Sequence, residues 1–112
     1  MLRYVLFHFI GDPGQPRDVS SEHIKKGNES SKVKLTWKRP SELSNNLLAH
    51  ITYHLQYCNK KNCNNRTNIR TTELIVDDLA ESSTYYYTLT TMREDKLPGG
   101  NTQGTFTTKE GK

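Results

Sequence analysis

Hydrophobic and polar residues alternate along most of this chain with a period of two, not three to four. In the run 32–38, Val33, Leu35 and Trp37 fall on one side while Lys34, Thr36 and Lys38 fall on the other, as a half-buried antiparallel strand requires. Ile51 to Tyr57 repeats the pattern and groups Ile51, Tyr53, Leu55 and Tyr57. Thr84 to Met92 carries it furthest, with Tyr85, Tyr87 and Leu89 on one face and Tyr86 on the other. Weaker strands are predicted over Arg17 to Glu22, over Glu73 to Leu79 (Leu74 and Val76 sharing a face) and over Thr102 to Thr108, centred on Phe106. His23 to Ser31 is polar and reads as a short edge strand or a loop. Turns or polar loops are expected at Asp12 to Pro16, Pro40 to Asn46, Cys58 to Asn68 and Leu97 to Asn101, with Gly99-Gly100 as a hairpin turn. Beyond Ile10 no segment of helical length has helical apolar spacing. The pattern predicts an all-β fold: an immunoglobulin-like, two-sheet antiparallel β-sandwich of about seven strands. The missing crossover helices exclude a parallel α/β architecture.

Composition sharpens this picture in two ways. The chain has 112 residues, the length of one domain, and only 32% of them are hydrophobic. A core is therefore available only if the apolar residues are gathered on one face of each strand. The single Trp and the alternating tyrosines then supply most of the large buried area. The apolar run Met1 to Ile10 is read as a leader or a fragment boundary, so residues 1–12 stand outside the fold, 13–109 form the domain and 110–112 a tail. That run lacks the roughly 18 apolar residues a membrane span needs, and no direct membrane insertion of the domain is expected. The net charge of +4 is spread along the chain in pairs such as Lys25-Lys26 and Lys60-Lys61. It forms no basic stripe with interleaved aromatics, which argues against a nucleic-acid partner.

Few residues offer chemistry. Cys58 and Cys63 are the only cysteines and flank the predicted bend. They read as a disulfide closing a short loop, as free thiols, or as metal ligands; the last needs a second pair that His50 and His54 do not provide at any known zinc spacing. Asn28-Glu-Ser30 and Asn65-Arg-Thr67 are N-glycosylation sequons in loop-like stretches, a pattern permitting a secreted context. No nucleophile elbow or glycine-rich phosphate loop is present. The expectation is no catalytic residue, no bound metal and no cofactor.

Several of these residues together resemble a known family. Leu35-Thr-Trp37 followed by Pro40, then Tyr53-x-Leu55-x-Tyr57, then Leu79 and Tyr85-x-Tyr87 are similar in spacing to fibronectin type III domains, and Pro13 to Val19 resembles their usual opening. Glu81 and His50 depart from the common pattern, standing where a proline and an aliphatic residue are usual. The resemblance implies a core built on Trp37, Tyr53, Leu55, Tyr57, Leu79, Tyr85 and Tyr87. It also implies that Tyr85, six residues after Leu79, forms a tyrosine corner, its hydroxyl bonding back to the main chain. It further implies a non-catalytic module of a receptor or adhesion protein, extracellular or at the cell surface, within a larger secreted or single-pass membrane protein. Its partners would be extracellular proteins and neighbouring domains in tandem, with contacts around Asn45 to His50 and Arg93 to Asn101. An intracellular or enzyme-attached scaffold module is the alternative. A class I cytokine receptor half is disfavoured, since the chain has too few cysteines and no Trp-Ser-x-Trp-Ser sequence.

Overall fold

The computed structural model describes residues 14–24, 32–40, 51–93 and 98–109. Seven strands follow one another: β1 (Arg17–Ile24), β2 (Lys32–Lys38), β3 (Thr52–Cys58), β4 (Cys63–Ile69), β5 (Glu73–Val76), β6 (Thr84–Met92) and β7 (Pro98–Thr107). They pair antiparallel in two sheets, ordered β1-β2-β5 and β4-β3-β6-β7. The all-β sandwich read from the alternation is the fold.

The inward positions of the central strands build the core. Val33, Leu35 and Trp37 of β2 meet Tyr53, Leu55 and Tyr57 of β3 and Tyr85, Tyr87 and Leu89 of β6, with Ile69, Val76, Leu79 and Phe106 completing the cluster. Trp37 meets Tyr53 edge-on with ring centroids 5.4 Å apart, and Phe106 stacks on both Tyr85 at 5.4 Å and Tyr87 at 6.2 Å. Aromatic rings at these separations attract beyond the area they bury, which offsets the lean composition. Tyr86 points the other way and is 63% exposed.

The structure departs from the alternation in four places. Cys58 to Asn68, expected to be a turn region, contains the whole of β4; only Ile69 of that strand is buried. An edge strand facing solvent needs no apolar alternation, so its sequence carries no strand signal. Residues 98–101, expected as a turn, open β7 instead. β5 stops at Val76, leaving Leu79 in the connection that follows, and β1 runs on through His23 and Ile24. The leader, Pro13, the rest of the polar stretch to Ser31, the sequon at Asn28, residues 41–50, Leu97 and the tail lie outside the described residues.

Gly100 belongs to β7 for reasons of space. A Cβ there would lie 2.8 Å from both Gln15 N and Gly14 C, so the opening segment crosses the strand at backbone contact. Thr102 Oγ1 donates to Pro16 O beside this crossing. Gly100→Ala must push two backbones apart and is expected to cost about 1–3 kcal/mol, read as a lowered midpoint in urea unfolding. A midpoint equal to that of the parent chain would show that the opening segment does not seat here.

Of the three register shifts among the described strands, one lies between Thr90 and Met92 against β7, and the other two fall on β1 and β4. The β1 shift lies between Arg17 and Ser20, where Asp18 has φ 52°, and the β4 shift faces β3 between Tyr53 and Leu55, where Asn68 has φ 58°. Asp and Asn tolerate left-handed backbone better than other non-glycine residues. These two β-bulges thus sit on residues chemically suited to them.

Candidate functional site

The most heavily cross-linked part of the described surface is the end of the sandwich where β3 turns into β4. Cys58 and Cys63 lie opposite each other in register and are joined by a disulfide. Closing so short a loop contributes about 2 kcal/mol through the unfolded chain. Inside it, Asn59 Oδ1 accepts hydrogen bonds from the backbone N–H groups of Lys61 and Asn62, both at 2.8 Å, and Asn59 N–H donates to Asn62 O at 2.9 Å. The side-chain amide of Asn59 also donates to the Tyr85 hydroxyl at 3.2 Å. The same hydroxyl accepts from Ala80 N–H at 2.8 Å, five residues back in the chain. Tyr85 therefore forms the corner and fastens the disulfide-closed bend to it.

Thr108, like Asn59, is a residue here that sequence reasoning missed. It is 6% exposed, donates through Oγ1 to Ala80 O at 2.6 Å, accepts there from Ser83 N–H at 2.9 Å, and donates its own N–H to Ser83 O at 2.8 Å. The final turn of chain is pinned to the β5–β6 connection at the same place. A threonine at the end of a strand carries no sign of this role in sequence.

The side between β4 and β5 is closed by charge. The Tyr57 hydroxyl donates to Asp78 Oδ1 at 2.7 Å, while Arg66 reaches Asp78 and Asp77 at 3.6 and 3.7 Å. Burial and the bond to Asp78 push the Tyr57 hydroxyl up to about 12, with Arg66 pulling the other way. Burial works against the charge of Arg66, but Tyr57, Asp78 and Asp77 outweigh it and its pKa is raised.

The remaining expected site residues are placed as follows. Trp37, Tyr53, Leu55, Tyr57, Leu79, Tyr85 and Tyr87 are all buried. Asn65 stands on β4 rather than in a loop, exposed on the same side as Thr67, and its Oδ1 accepts from His54 Nε2 at 3.0 Å. Of the expected contact residues, Arg93 is described and 98–101 belong to β7, while 45–50 lie outside the described residues. Among the described residues no three His, Cys, Asp or Glu side chains converge as metal ligands.

The sheet order and the corner at Tyr85 accompany a match to the family described as the fibronectin type III domain over residues 14–103. The chain belongs to this family. Solved structures agree at the level of fold. The crystal structure of the FN5 domain of Drosophila Lar superposes with a TM-score of 0.65 at 19% identity, covering 88% of this chain and 99% of that one. A structure described as a myokine superposes with a TM-score of 0.62 at 14% identity, covering 88% and 100%. No curated protein matches the chain. Fibronectin type III domains are generally non-catalytic scaffold modules, typical of receptors and adhesion proteins, and commonly mediate protein–protein contacts.

The corner has a measurable consequence. Tyr85→Phe leaves the ring stacking on Phe106 intact and removes the acceptor for Ala80 N–H and the Asn59 amide. It is expected to cost roughly 1–3 kcal/mol in chemical denaturation. A neutral substitution would dismiss the hydroxyl as a structural bond.

Proposed function

We propose that this fibronectin type III domain, spanning 13–109, works outside the cell as a non-catalytic module of a receptor or adhesion protein, as a protein-binding surface or as a spacer between domains. The observation that carries this reading is the Cys58–Cys63 disulfide. Such bonds persist in oxidising compartments and are rare in the cytosol. The fold stands on an aromatic core of its own, so the disulfide answers to a compartment more than to a shortage of core. The sequon at Asn65 supports the same reading, since Asn65 and Thr67 are both exposed on the outward side of an edge strand. Fold alone would not choose between this role and an intracellular scaffold.

The test is expression of the full chain through a eukaryotic secretory pathway, followed by intact mass with and without glycosidase. A glycosidase-sensitive mass increment on Asn28 or Asn65 is expected. Secreted protein with both asparagines bare would transfer weight to the intracellular or enzyme-attached module.

A further inference from the structure

At the end of the sandwich away from the disulfide, a recess of about 310 Å³ opens between β2, β3 and the β4–β5 turn, lined by Arg39, Ile51, Tyr53, Arg70, Thr71 and Thr72. Its walls are held in place. Trp37 N–H donates to Thr72 O at 3.0 Å, Thr71 Oγ1 donates to Glu73 O at 2.8 Å, and Arg39 O accepts from Arg17 Nε at 2.7 Å. The bonds fix the backbones on which the two arginines stand, while their guanidinium groups have no ion-pair partner among the described residues.

Two carboxylates of the adjoining sheet, among the described residues, are already engaged. Glu73 pairs with Lys34 and Asp18 with Lys38, both at 3.5 Å. The lining contains a second unmet demand. Tyr53 is 2% exposed, and its hydroxyl has no hydrogen-bond partner among the described residues. The Arg39 charge acts on that hydroxyl, as does the indole N–H of Trp37, without satisfying it. A buried hydroxyl without a partner is unusual and costs free energy. Two guanidinium groups without an ion-pair partner among the described residues, lining one recess, match the donor needs of a planar oxyanion, which arginine meets with paired N–H groups.

We infer that this recess receives a carboxylate side chain from an acidic segment of a protein partner, held between Arg39 and Arg70. The surroundings favour one acidic side chain over a sulfated polysaccharide. A polyanion needs a track of free cations, and Lys38 and Lys34 of the adjoining sheet are paired with Asp18 and Glu73. The inference rests on the domain being a binding surface and not a bare spacer. It is independent of compartment, so its failure leaves the glycan and disulfide results untouched.

Trp37 is the only tryptophan of the chain and touches the ring of Tyr53, which makes its fluorescence a reporter of the recess. The full chain is titrated in low-salt buffer with a blocked Gly-Glu-Asp-Glu-Gly peptide, with its amide counterpart Gly-Gln-Asn-Gln-Gly, and with a heparin-derived tetrasaccharide. The acidic peptide is expected to change Trp37 emission saturably and the amide peptide not to. R39Q/R70Q, at exposed positions, is expected to remain folded by circular dichroism and to weaken the acidic peptide by about tenfold or more. K60Q/K61Q, which removes the same charge from the opposite end, is expected to stay within about twofold. No saturable response, or an equal loss in K60Q/K61Q, overturns the inference. Binding of the tetrasaccharide without the acidic peptide overturns it in favour of a sulfated polysaccharide.

Discussion

Trp37→Ala is expected to lower the unfolding free energy by about 3–5 kcal/mol, a large part of the stability of a domain this size. The side chain is 4% exposed and sits on the central strand of the smaller sheet, edge-on to Tyr53 of the larger one. Truncation removes the largest apolar side chain and leaves a cavity between two hydrogen-bonded sheets, which cannot close over it cheaply. It also removes an indole N–H that has no hydrogen-bond partner among the described residues, a small gain that does not offset the cavity. Equilibrium denaturation measures the effect, and a variant that unfolds like the parent would place the core elsewhere.

The second large effect is alkaline. Burial and the bond to Asp78 push the Tyr57 hydroxyl up to about 12 from 10.0 for the free side chain, and the Tyr53 and Tyr87 hydroxyls are also raised, both chiefly by burial. A folded pKa above the unfolded one gives stability that is complete below the unfolded value. It is lost as pH climbs through the folded value. Stability should therefore hold up to about pH 10 and fall between about 10 and 12 as the unfolded chain ionises first. Tyr57 alone accounts for roughly 1–3 kcal/mol of this, the lower part of that range reflecting the half-exposed Asp78 and Arg66 around its hydroxyl. Tyr57→Phe should flatten the decline measured by urea unfolding at successive pH values. An unchanged slope in that variant would contradict a raised Tyr57 hydroxyl, the product of burial first and the bond to Asp78 second.

The core was legible in the sequence because burial acts directly on the pattern. In β2, β3 and β6 the inward residues up to Leu89 are large and apolar and, apart from Tyr86, their outward neighbours are polar, so the sheets can be read off the spacing of Trp37, Tyr53, Leu55, Tyr57, Tyr85 and Tyr87. Of the edge strands, β1, β5 and β7 were legible in part and β4 was not, for the converse reason. In β4 the stretch Cys63 to Asn68 is polar on both sides because one side is exposed and the other is covered only in part, by the charges around Arg66, and its direction comes from pairing with β3. Gly100 looked like a turn residue, and only the crossing of Gly14 and Gln15 reveals that it makes room for another backbone.

The candidate site divides in the same way. Proximity in the chain made the cysteine pair visible, and the spacing of Leu79 and Tyr85 made the corner visible. Asn59 and Thr108 act through bonds to partners 26 and 28 residues away, and nothing local marks them. Arg39 and Arg70 belong to different loops and share a recess only because Trp37 N–H holds Thr72 against β2.

The measurement that bears most directly on an extracellular role is the thiol state of the protein in the cells that make it. Acid quenching, alkylation under denaturing conditions and peptide mass spectrometry report it without disturbing the bond. A Cys58–Cys63 peptide lacking alkyl groups and two hydrogens lighter than the dithiol is the predicted result. Two alkylated cysteines would contradict the account and make this fibronectin type III domain a module of a reducing compartment.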